Sequence, residues 1–94
     1  MKTQIKFTNL LAEKLGKELV LDFPDRDQLT VVEFVDRLSH EPWSSEVIDD
    51  GHIRSPVILI IDNQLIQLSN PESRSVIITS ASEITFQIMF AGGI

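Results

Sequence analysis

The chain has 94 residues, 43% apolar and 23% charged, which is one domain's worth and too little for two independent cores. It contains no cysteine, so disulfides, zinc-thiolate sites and a cysteine nucleophile of its own are excluded. Its formal charge is −6, and without a basic stripe it is a poor match for a phosphate backbone, so no nucleic-acid partner is expected.

The charge is unevenly distributed. Lys2, Lys6, Lys14 and Lys17 face only Glu13 in the first seventeen residues. Residues 18–52 carry ten acids against Arg26 and Arg37, a solvated surface or a docking face for a basic partner. The longest apolar run is Val57 to Ile61, far short of the roughly 20 residues of a membrane-spanning helix. No apolar signal core follows Met1. A cytoplasmic protein without a membrane partner is expected.

Ile5 and Phe7 alternate with Gln4 and Lys6, predicting a half-buried strand over residues 3–8. Asn9 to Leu15 suits a helical turn or a loop, and Gly16 resets the chain. Leu19, Leu21 and Phe23 alternate again, so a second strand over 17–23 closes an antiparallel hairpin. Pro24-Asp25 ends it.

The strongest local signal begins at Thr30. Thr30-Val31-Val32-Glu33 has the spacing of a capping box, and Leu29 with Phe34 that of a hydrophobic staple. Val31, Phe34, Val35 and Leu38 then share one helical face. The helix has two to three turns and stops around Ser39 to Pro42. Such a helix is too short to stand alone, so it must pack on the sheet.

Residues 41–56 read as mostly loop, with Trp43 and Val47-Ile48 as core anchors and Asp49-Asp50-Gly51 as a turn. Val57 to Ile61 reads as a central strand, apolar on both faces. Asp62-Asn63 forms a turn before a short strand at Leu65-Ile66, and Asn70-Pro71 is another turn. Ile84, Phe86, Ile88 and Phe90 alternate with Thr85, Gln87 and Met89 in a last strand. The order implies an α+β roll: a mixed sheet of four to five strands under one main helix, with the first and last strands paired in parallel at its centre. This is the ubiquitin-like β-grasp, a domain over residues 1–90 followed by a tail at 91–94.

No catalytic constellation stands out. His40 and His52 lie in polar loop sequence, the carboxylates are scattered, and no metal-ligand spacing or phosphate-cradling glycine loop is present. No metal and no cofactor is expected. What remains is Ala91-Gly92-Gly93, directly after Phe90. Gly-Gly passes through a narrow channel because it has no Cβ, and three residues reach about 10 Å beyond a fold. The tail is expected to be disordered in the free protein.

The Ile5-Lys6-Phe7 strand, the capped helix Thr30 to Leu38, the run Arg54-Ser55-Pro56-Val57-Ile58-Leu59-Ile60-Ile61 and the end Phe90-Ala91-Gly92-Gly93 together resemble the ubiquitin-like sulfur carriers and modifiers. That family includes MoaD, ThiS, the ubiquitin-related modifier and the archaeal small modifier proteins. The stretch Asp49 to Asn63 looks most like the ubiquitin-related modifier.

The resemblance implies a cosubstrate rather than an enzyme. An adenylating enzyme of the ubiquitin-activating type would join AMP to the terminal glycine carboxylate. The activated carboxyl would then become a thiocarboxylate for a sulfur-acceptor enzyme, or be joined to lysines of target proteins. Gly92 and Gly93 are the implied activation site. Met89, Phe90 and Ala91 are expected at the partner contact, on an apolar patch beside the last strand. Two departures stand out: Ile94 follows Gly93, which calls for a processing peptidase, and the turn after the third main strand is Asn63-Gln64 where the family often has Asn-Gly. The alternative is a β-grasp module that binds a partner without ever being activated.

Overall fold

In the computed structural model, which describes residues 1–88, the chain begins with a hairpin. β1 (Lys2–Phe7) pairs antiparallel with β2 (Glu18–Asp22). Between them lies α1 (Asn9–Leu15), a full two-turn helix whose Leu11 is buried. It ends at Gly16 with φ +90, a conformation glycine adopts without steric cost.

β3 (Leu29–Thr30) leads into α2 (Val31–Leu38). The capping box is complete: the Glu33 backbone N–H donates to Thr30 Oγ1 at 3.2 Å, and the Thr30 backbone N–H donates to Glu33 Oε1 at 3.0 Å. The staple residues Leu29 and Phe34 are both fully buried. Val31, Phe34, Val35 and Leu38 form the buried face.

The region read as loop is more ordered than its sequence suggested. Pro42–Glu46 is a 3-10 helix with proline in its first turn. β4 (Ile48–Asp49) and β5 (His52–Ile53) then form a small hairpin. Its turn residues Asp50 and Gly51 both have positive φ, as a two-residue hairpin turn of matching twist requires.

β6 (Val57–Ile61) and β7 (Gln64–Ile66) form the next hairpin, with Asp62 and Asn63 at positive φ in its turn. Asn70-Pro71 opens a short helix: Asn70 caps α3 (Pro71–Arg74) by accepting from the Glu72 N–H at 2.9 Å. β8 (Ile77–Ile78) pairs with β3, and β9 (Ile84–Ile88) closes the fold.

The main sheet has five strands in the order β2-β1-β9-β6-β7. β9 runs parallel to β1, with Ile5 beside Ile84 and Phe7 beside Phe86, and antiparallel to β6, with Val57 opposite Ile88. The architecture is the α+β β-grasp roll, a mixed five-stranded sheet carrying one main helix. The core joins Ile5, Phe7, Leu59, Ile61, Ile84 and Phe86 of the sheet to the buried face of α2. Phe7 stacks near Phe86 at 6.0 Å and meets the edge of Trp43 at 5.5 Å, so Trp43 is an anchor of the 3-10 helix against the sheet.

Val57 to Ile61 is apolar on both faces, as expected, but fully buried on one: Val57, Leu59 and Ile61 are buried, while Ile58 and Ile60 are half-buried. The core lies on one face of the sheet, so every second residue of β6 turns away from it.

Candidate functional site

The candidate activation residues Gly92 and Gly93, the processing position Ile94 and the contact residues Met89, Phe90 and Ala91 lie outside the described residues, as does the expected disorder of the tail. The described structure supplies the end of the domain that precedes them. β9 runs down the middle of the sheet, and Ile88 at its end pairs with Val57. α1 and the stretch 54–57 line a shallow cavity of about 190 Å³ with Ile88.

The open face of the sheet has two characters. On β1 and β2, Lys2 stands opposite Asp22 and Lys6 opposite Glu18, and Gln4 Nε2 donates to Glu18 Oε2 at 2.6 Å. On β6 and β7 the outward residues are Ile58, Ile60 and Leu65, with Ile60 opposite Leu65 and Leu65 49% exposed. The outward residues of β9 between them are Thr85 and Gln87. Among the described residues, the apolar half therefore sits on β7 and on β6, the strand directly beside β9, while the expected edge of the patch at Met89 and Phe90 lies outside those residues. The sequence signal for it was present: isoleucine at both parities of β6.

The two histidines are exposed. His40 Nδ1 lies 3.1 Å from the Asp36 carbonyl oxygen just past α2. His52 sits on β5 opposite Asp49, on the wall shared by cavities of about 360 and 370 Å³. Among the described residues, no three His, Asp or Glu side chains cluster as a metal site would need, and no helix is long and apolar enough to cross a membrane.

The acidic middle of the chain is partly internally paired. Arg26 forks onto Glu33, with Nη1 to Oε2 at 2.6 Å and Nη2 to Oε1 at 3.3 Å. Arg37 forks onto Asp25 at 2.8 and 2.7 Å, and its guanidinium lies 5.7 Å from the Phe23 ring centre. The Arg26 hydrogen bond, then the Thr30 backbone N–H, holds the Glu33 carboxyl at about 2. The Arg37 hydrogen bond holds Asp25 at about 2 as well. These pairs clamp the loop 23–28 to α2; the sequence offered no spacing rule that would have found them.

No protein-family model and no curated protein matches the chain. Among solved structures, the fold is similar to the solution structure of the Haloferax volcanii HVO 2177 protein, with a TM-score of 0.66, 18% sequence identity, and coverage of 99% of this chain and 87% of that one. At that identity the likeness is one of fold.

Proposed function

We propose that this chain is a ubiquitin-like carrier, activated by adenylation at Gly93 once Ile94 has been removed. It is a cytoplasmic cosubstrate, and the catalysis belongs to its partners. The observation that carries the reading is the strand order: β9 is a central strand paired in parallel with β1, and Gly92-Gly93 follow it in the sequence.

The chemistry requires a free carboxylate. A Gly93 carboxylate oxygen attacks the α-phosphorus of ATP, the bond to pyrophosphate breaks, and an acyl-adenylate forms. A sulfide equivalent from a donor then attacks the acyl carbon and AMP leaves, giving a thiocarboxylate. A lysine amine attacking the same carbon gives an isopeptide bond and releases AMP and a proton. Gly-Gly suits the channel of an adenylating enzyme because neither residue presents a Cβ.

A second reading has one observation in its favour. In the sequence as it stands, the Gly93 carbonyl is tied into a peptide bond with Ile94, and an amide is no nucleophile toward ATP. A non-covalent β-grasp module would need no free Gly93.

The test is ATP–pyrophosphate exchange with the ubiquitin-activating-type enzyme of the source cells. A chain ending at Gly93 should support exchange, and the chain ending at Ile94 should do so poorly. Exchange with neither favours the non-covalent module. The intact mass of the protein from its own cells provides an independent check, since processing removes the mass of one isoleucine residue and thiocarboxylation adds an oxygen-for-sulfur exchange.

A further inference from the structure

We infer that the end of the domain around Ile88 is a cationic docking shoulder, on which Leu10, Lys14 and Arg54 receive an acidic surface of the adenylating enzyme. The inference rests on the proposed function for its partner, and its own content is the location and charge of the contact.

Three elements meet there. α1 packs beside β9, and Arg54 to Pro56 lead into β6, whose Val57 pairs with Ile88. The cavity of about 190 Å³ between them is lined by Leu10, Lys14, Glu46, Arg54, Pro56 and Ile88. A two-turn helix can bury only one side. Leu11 takes the core position, and Leu10 is left 46% exposed at the rim. Lys14 follows Leu10 by four residues and so stands over the same face of α1.

Both cations are positioned but not consumed. Arg54 Nη1 donates to the Ser45 carbonyl oxygen at 2.7 Å, and no other guanidinium N–H of Arg54 has a protein acceptor among the described residues. Lys14 Nζ lies 3.4 Å from Glu46 Oε2, with both side chains well exposed, so an incoming carboxylate can share that ammonium at little cost.

The charge of the whole chain makes this end distinctive. Lys6, Lys14, Lys17 and Arg54, half of the eight cations, lie on the segments that meet here, against Glu13, Glu18 and Glu46. The other eleven acids face only four cations. An acidic enzyme surface is repelled by most of this molecule and accepted at one end, the end from which the chain runs on to Gly93. A basic surface would be drawn to the opposite side and would hold the tail away from the active site. Long-range charge thus selects an orientation before contact.

The experiment uses the chain ending at Gly93. Lys14→Glu with Arg54→Glu should raise KM for the carrier in ATP–pyrophosphate exchange by about tenfold, leave kcat near the parent value, and flatten the salt dependence of kcat/KM. Lys2→Glu with Arg74→Glu makes the same charge change away from the shoulder and should stay within about twofold of the parent. Circular dichroism and a urea midpoint establish folding, with Lys14→Gln and Arg54→Gln replacing any reversal that unfolds. An inactive parent overturns the proposed function, and this inference with it. An active parent whose shoulder variant matches the control variant overturns this inference alone. Dimerisation of the parent in sedimentation velocity, lost in the shoulder variant, would assign the shoulder to a second copy and overturn it too.

Discussion

Thr8 and Thr30 occupy the same kind of position, the residue before the first turn of a helix, and do different things there. Thr30 Oγ1 accepts from the Glu33 N–H, and Glu33 answers through the Thr30 N–H. Thr8 makes no side-chain cap, and its buried hydroxyl has no hydrogen-bond partner among the described residues. Thr30→Val should therefore cost about 1 kcal/mol in urea unfolding, whereas Thr8→Val should change stability by about 0.5 kcal/mol or less. The difference is legible in the sequence, because the third helical residue is Glu33 after Thr30 but Leu11 after Thr8. The partners of Glu33 and Asp25 were not legible, since Arg26 and Arg37 reach them through the path of the loop 23–28. Both carboxyls sit at about 2, below their ordinary values of 4.5 and 3.8. Their contribution is complete above those ordinary values and is lost as pH falls toward 2. The urea midpoint should fall over that window, and Arg26→Gln with Arg37→Gln should flatten the fall. A slope unchanged by the double substitution would remove these pairs from the account.

At the scale of elements, periodicity carried most of the information. The alternation in β1, β2 and β9 and the helical face of α2 all reappear in the burial pattern. Residues 41–56 were harder, because a 3-10 helix of five residues and a hairpin with two-residue strands are too short to show a period. α1 was ambiguous for the same reason. β6 is apolar on both faces because its outward residues are isoleucines, while the layering fully buries only one of those faces. The two faces should differ on substitution. Leu59→Ala removes a fully buried side chain and should cost about 2–5 kcal/mol. Ile60→Thr, on the half-buried face, keeps a β-branched residue in the strand and should cost about 1 kcal/mol or less. Chemical denaturation of the two variants beside the parent checks this, and equal losses would mean that the open face is covered.

At the scale of the molecule, the strand order was readable from two facts: strongly apolar first and last strands, and one helix between hairpins. The outward isoleucines of β6 were readable and the strand order sets them beside β9, while the expected edge of the patch at Met89 and Phe90 lies outside the described residues. The described core is closed by Ile84 and Phe86, upstream of Gly92 and Gly93 in the sequence. Deleting those two glycines should leave the thermal midpoint within about a degree or two of the parent, while under the proposed function ATP–pyrophosphate exchange with an adenylating enzyme is lost. A large drop in the midpoint would make them part of the fold instead.

The parallel pairing of Ile5 to Phe7 with Ile84 to Phe86 also constrains how the chain is made. A chain interrupted anywhere before residue 84 lacks the middle of its sheet, and β1 and β6 then expose edges that only β9 covers. Contacts between segments so distant in sequence form late and slowly. On the ribosome the domain must wait for nearly its whole length to emerge before the sheet can close. Fragments stay open to proteolysis, so synthesis itself acts as a length check, and a chain that folds is one whose translation has already come within a few residues of its glycines.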